Sequence, residues 1–121
     1  MVNNHNIKPS MIMERTRALV EIFNDEPDHN LVDLMKLCVQ RSEICADSID
    51  KKVSNCGNYE IMEEIAGFLK YALIGLNQLK EYMAYDKKGF LIDRSKVIAS
   101  MASVGAYLES ANMYLRDNKI D

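Results

Sequence analysis

The side chains best suited to chemistry in this sequence are carboxylates. Glu60, Glu63 and Glu64 stand together, and the helical segment before them offers Glu43, Asp47 and Asp50. Carboxylate oxygens suit a hard cation such as Mg²⁺, which prefers oxygen ligands. Other chemistry finds no foothold. There is no GxxxxGK[ST] or GxGxxG phosphate loop and no HExxH or CxxC metal motif. His5 falls in a polar N-terminal stretch and His29 at a helix start, so neither is placed to activate a Ser or Cys nucleophile.

Glu60–Ile61–Met62–Glu63 resembles the ExxE pair with which all-helical nucleotide pyrophosphohydrolases of the MazG type hold Mg²⁺. The resemblance covers that one four-residue motif. It implies an alternative function as a carboxylate–Mg²⁺ phosphohydrolase using Glu60, Glu63, Glu43 and Asp47. The chain departs from the family pattern in its central helix, where Glu81 alone precedes Asp86 and the later ExxD element is missing. Basic residues that would meet phosphates are not grouped nearby. The acids also have a simpler reading, because Glu60, Glu63 and Glu64 occupy the first turns of a helix, where the dipole favours negative charge.

The elements that would position these groups are helices. From Met62 the apolar residues Met62, Ile65, Leu69, Ala72, Leu76, Leu79 and Met83 recur at alternating steps of three and four, which keeps them on one face. Ile61, Phe68 and Tyr82 widen that stripe, as in a helix buried in a globular bundle. Asn58 is the expected N-cap. Gly67 and Gly75 each cost about 1 kcal/mol against Ala in a helix interior, a cost offset if they let a neighbouring helix approach closely.

Around this helix, Pro9–Ser10 reads as a helix start with Ser10 as cap, followed by a short helix marked by Ile12, Leu19, Ile22 and Phe23. Pro27 breaks it by forcing Glu26 out of the α region. A second helix starts near Asp28 or Asn30 and runs to about Asn55, with a stripe of Leu31, Leu34/Met35, Cys38, Ser42, Cys45, Ile49, Val53 and Cys56. The cysteines are thereby expected in the core, as small apolar residues. A disulfide between Cys38 and Cys45 is excluded, because seven residues of helix separate them by roughly 10 Å. After Asp86–Lys87–Lys88–Gly89, the apolar lead-in Phe90–Leu91–Ile92 and the N-cap Asp93 introduce a last helix with the stripe Val97, Met101, Val104, Leu108, Ala111 and Leu115. The expected fold is all-α: an antiparallel four-helix bundle of one short N-terminal helix and three long ones, with residues 1–9 a flexible tail and 10–121 a single domain.

Two helices carry apolar character beyond their stripes. The far side of the central helix holds Gly67, Tyr71 and Ile74. The last helix has no charge between Lys96 and Glu109. Such helices are buried on more than one side, most economically in a homo-oligomer, with a dimer favoured. Six tyrosines, a residue suited to places where an apolar body meets a polar rim, and eight methionines add to this expectation. The candidate interface is Tyr71, Ile74, Tyr85, Tyr107 and Met113.

Composition narrows the rest. A net charge of −3 with scattered Lys and Arg argues against a nucleic-acid partner. The longest uncharged run is too short to span a bilayer. Three cysteines without a secretory signal suggest a reducing, cytoplasmic setting. The expected function is a non-catalytic adaptor or regulator of another macromolecule, acting through protein–protein contact, with no cofactor.

Overall fold

The computed structural model describes residues 7–120. Four α-helices form a bundle: α1 (Pro9–Glu21), α2 (His29–Val53), α3 (Tyr59–Tyr82) and α4 (Arg94–Asp117), with a 3₁₀ turn, Ile22–Asp25, after α1. Three of the four starts carry an Asx cap. The carboxylates or amide of Asp28, Asn58 and Asp93 accept from the backbone N–H of Leu31, Ile61 and Lys96, satisfying amides that the helix leaves unpaired. The first helix differs from expectation. Ser10 is not its cap; Lys8 is, so the helix begins two residues earlier, with Pro9 in its first turn, where a missing N–H costs nothing and φ is preset. Residues 1–6 of the expected tail, His5 included, lie outside the described residues, whereas Ile7 and Pro9 already pack against the body.

Direction alternates along the chain, yet sequence neighbours are not all neighbours in space. α1 packs on α2, α2 on α4, α4 on α3, and α3 closes the ring on α1. The consecutive pair α2 and α3 therefore lies across a diagonal. α4 runs parallel to α2: Asp28 meets Arg94 at one end, Gly105 faces Ser42 in the middle, and Asn112 takes hydrogen bonds from Ser48 and Lys52 at the other. It runs antiparallel to α3 in a fixed register set by Tyr82 under Lys96, Gly75 against Ser103 and Tyr71 on Tyr107.

The core follows the expected stripes closely in α3 and α4. Ile65, Leu69, Ala72, Leu76 and Leu79 are buried, as are all six apolar stripe residues of α4. Gly75 provides the anticipated close approach: a Cβ there would lie 3.4 Å from Ser103 Cβ and from Val104 Cγ2. Gly67 does not, since nothing would lie within 4 Å of its Cβ.

α2 is rotated from expectation. Its buried face is Leu31, Val32, Met35, Val39, Ser42, Ala46 and Ile49, which moves Cys38 and Cys45 to the flank and leaves Leu34 exposed. The cysteines are thus half-buried boundary residues instead of core. Ile22, expected inside, is exposed because the 3₁₀ turn redirects it while Phe23 fills the core.

The α3–α4 connection is a tight hairpin-like turn. Asp86 N–H donates to Phe90 O and Ile92 N–H to Ala84 O, while the Asp86 carboxylate accepts from Lys88 and Phe90 N–H. Gly89 turns the chain at φ 85°, where a side chain would be strained. Of the apolar lead-in only Leu91 reaches the core; Phe90 and Ile92 stand in solvent. Among the described residues, no helix is long and apolar enough to cross a membrane.

Candidate functional site

The five candidate interface residues divide among three places. Tyr71 and Tyr107 meet across the α3/α4 seam, their rings stacked with centroids 5.3 Å apart and planes 24° from parallel. They remain open to solvent, at 53 % and 36 % exposure, and Ile74 beside them is 41 % exposed. Tyr85 lies at the far end of α3, in the turn. Met113 belongs to the other flank of α4, facing α2.

The α4 surface next to the tyrosine pair is less polar than its sequence suggests. Ser103 and Ser110 donate their hydroxyls to the carbonyls of Ala99 and Ala106, one turn back on their own helix. Ser100 does the same to Lys96. A hydroxyl bonded to its own backbone has little left to lose on leaving water. Together with the exposed Ala99, Ser103 and Ser110 form an uncharged ridge that is cheap to desolvate.

On the other flank, α2 and α4 bound an open groove of about 530 Å³. Its floor is small and soft: Ser42, Cys45, Met101, Ala102, Gly105 and Ala106. Gly105 brings the helices together, since a Cβ there would lie 3.1 Å from Ser42 Oγ. That hydroxyl is buried without a hydrogen-bond partner among the described residues. Burial raises the pKa of the Cys38 and Cys45 thiols, with nearby Glu109 adding to the rise at Cys45. Both therefore stay protonated and weakly nucleophilic at neutral pH. Arg41, Lys52 and Arg116 stand around the groove against a single acid, Glu109. Ile44, at the α2 rim, is 71 % exposed.

The carboxylates proposed for Mg²⁺ are not brought together. Glu43 is held by Arg17 of α1 at 3.2 Å, while Asp47 is exposed. Glu60 is exposed near the start of α3, and Glu63 accepts a hydrogen bond from Tyr59. Burial and the neighbouring charge of Asp47 raise the pKa of Asp50. The diagonal placement of α2 and α3 keeps their acids apart. Among the described residues no three His, Cys, Asp or Glu side chains converge as metal ligands do.

Tyr85 has a different role. Burial, a hydrogen bond to Glu26 and the charge of that carboxylate push its phenol pKa up to about 12. Glu26, buried beside the α1–α2 turn, also accepts from Asp28 N–H. The phenol thus stands beside Glu26, setting the α3–α4 turn against the α1–α2 turn.

The α2/α4 groove was not visible in the sequence as a site. Its one legible signal was Arg41 and Ile44, an apolar-and-basic pair on α2 three residues apart and off the core stripe. Comparison of the chain with protein-family models, with curated proteins and with solved structures gave no match.

Proposed function

We propose that this protein acts without catalysis, as a protein–protein interaction module that self-associates, most simply as a dimer, through the tyrosine-bearing α3/α4 face. The observation that carries the reading is the stacked pair Tyr71–Tyr107, left open to solvent beside Ile74 and the uncharged α4 ridge. Aromatic side chains that expose a flat apolar body with a polar tip are favoured at the centres of interfaces. The stack also fixes both rings before any partner arrives, so little rotamer freedom remains to be lost on association. The α4 serines, bonded to their own helix, add area at small desolvation cost. A twofold arrangement would place the same patch on both subunits.

Light scattering after size exclusion, across a wide dilution series, tests this. A dimer that dissociates on dilution, and is lost in Tyr71→Lys and Tyr107→Lys variants that keep their helical circular dichroism, is expected. A monodisperse monomer at every concentration, with Tyr71, Ile74 and Tyr107 freely substitutable, would sink the proposal. The same samples separate it from metal-dependent catalysis: Mg²⁺ or Mn²⁺ is expected to leave the melting temperature unchanged, whereas a cation bound only to the native state must raise it.

A further inference from the structure

The α2/α4 groove is a separate surface from the tyrosine face, on the opposite flank of α4, and its features point to a different occupant. The groove runs along two parallel helices, and its floor of Ser42, Cys45, Ala102, Gly105 and Ala106, with Met101 sunk into the core beneath, has no long side chain to hold a visitor away. Small residues of this kind let a third helix settle into the furrow between two others. The rims carry large apolar residues in water: Ile44 on α2 and Met113 on α4.

Charge then narrows the chemistry. Arg41, Lys52 and Arg116 outnumber Glu109, in a chain whose net charge is −3. Among the described residues, neither Arg41 nor Arg116 has an ion-pair partner within the molecule. The cations are also spread out. Arg41 lies eleven residues before Lys52 on α2, about 16 Å along the axis at 1.5 Å per residue. Arg116 stands with Lys52 at the far end, one turn beyond Asn112, which Lys52 hydrogen-bonds at 3.0 Å. A compact anion cannot touch both ends. A second copy presenting the same groove would set Arg41, Lys52 and Arg116 against their own like. What fits is a ligand with acids about three helical turns apart and apolar side chains between them.

We infer that the α2/α4 groove is a docking site for an acidic amphipathic helix of a partner protein, held by the Ala/Gly/Ser floor and by Arg41 at one end and Lys52 and Arg116 at the other. The helix lays its apolar face on the floor and rims, the helix-in-groove mode of recognition, and places carboxylates against Arg41 and Arg116, which have no ion-pair partner among the described residues, and against Lys52.

A display selection of helical 18-residue peptides against the full chain tests the inference. Enriched peptides are expected to carry Asp or Glu about eleven residues apart, flanking apolar residues at spacings of three and four. Their affinity is expected to fall about tenfold or more in Arg41→Glu/Arg116→Glu, and to fall with added salt. Peptides with Lys at the two acidic positions are expected to recover binding to that variant. The two arginines are exposed, so the variant keeps its fold, as circular dichroism would confirm. Enrichment of peptides without the acidic spacing, binding that the charge reversal leaves unchanged, or no enrichment at all would each overturn it. Loss of the dimer in the Tyr71 and Tyr107 variants is read separately, so either surface can fail without the other.

Discussion

Asp28 and Arg94 join the beginnings of two helices that are far apart in sequence. One carboxylate oxygen of Asp28 caps α2 through Leu31 N–H at 3.1 Å, and the other accepts from Arg94 Nε at 2.8 Å, at the first residue of α4. The pairing sets the parallel register of α2 and α4, and with it the length of the groove between them.

The hydrogen bond from Arg94, ahead of those from Leu31 and Asn30 N–H and the Arg94 charge, lowers the Asp28 pKa below 3.8 despite some desolvation. A carboxyl whose folded pKa is depressed contributes stability above its unfolded pKa and loses it as pH falls through the folded value. Thermal melts from neutral pH downwards are therefore expected to show a steeper acid loss in the parent than in Asp28→Asn. Equal slopes would mean that the pair contributes nothing to acid stability.

Gly67 and Gly75 are expected to behave oppositely towards size. With open space where its Cβ would stand, Gly67→Ala should raise stability by about 0.5–1 kcal/mol through helix propensity alone. Ala at Gly75 would just touch Ser103 and Val104 and is tolerated, but Gly75→Leu should cost about 1–3 kcal/mol or more by forcing α3 from α4. Urea unfolding of the three variants checks the order.

Ser42 and Gly105 form a coupled pair. Removing a buried, unpaired hydroxyl by Ser42→Ala is expected to be neutral or to stabilise by up to about 1 kcal/mol. Gly105→Ala alone meets Ser42 Oγ at 3.1 Å and is strained. With that oxygen gone the strain is relieved, so a double-mutant cycle should give a favourable coupling of about 0.5–1 kcal/mol. Additive effects would show that the two side chains do not press on each other.

Tyr85 should make the fold sensitive to base. Its pKa, raised by burial from 10.0 to about 12 with help from Glu26, means that the folded state holds the phenolic proton more tightly than the unfolded chain does. Stability is then full below pH 10 and falls as pH climbs from 10 towards 12. Tyr85→Phe has no proton to lose there, so its melting temperature should decline less than the parent's over that window.

The sequence was most legible where a single stripe satisfied helical spacing. In α4 the run from Val97 to Leu115 had no competitor, and all six residues are buried. In α2 two overlapping series obeyed the same steps of three and four. Cys38, Ser42, Cys45 and Ile49 form one, and Met35, Val39, Ser42, Ala46 and Ile49 the other. They share Ser42 and Ile49 and differ by a modest rotation, so periodicity alone could not choose between them. The choice depended on α4 lying beside α2, a tertiary fact that short connecting turns do not encode. The same fact separates Met113 from Tyr71 and Tyr107, which composition had grouped as one interface. Caps fared better because they are local: Asn58 and Asp93 need only the amide three residues on.

The diagonal placement of α2 and α3 also bears on how the bundle is made. α4 is the element that joins those two helices, and it is the last of the four to be synthesised. Until it leaves the ribosome, the faces of α2 and α3 that it covers have no mate, and the earlier helices can offer only the smaller α1 contacts. Native assembly of the bundle therefore waits for its fourth helix, and translation that stalls before Arg94 leaves a chain with two open apolar faces, a natural client for chaperones.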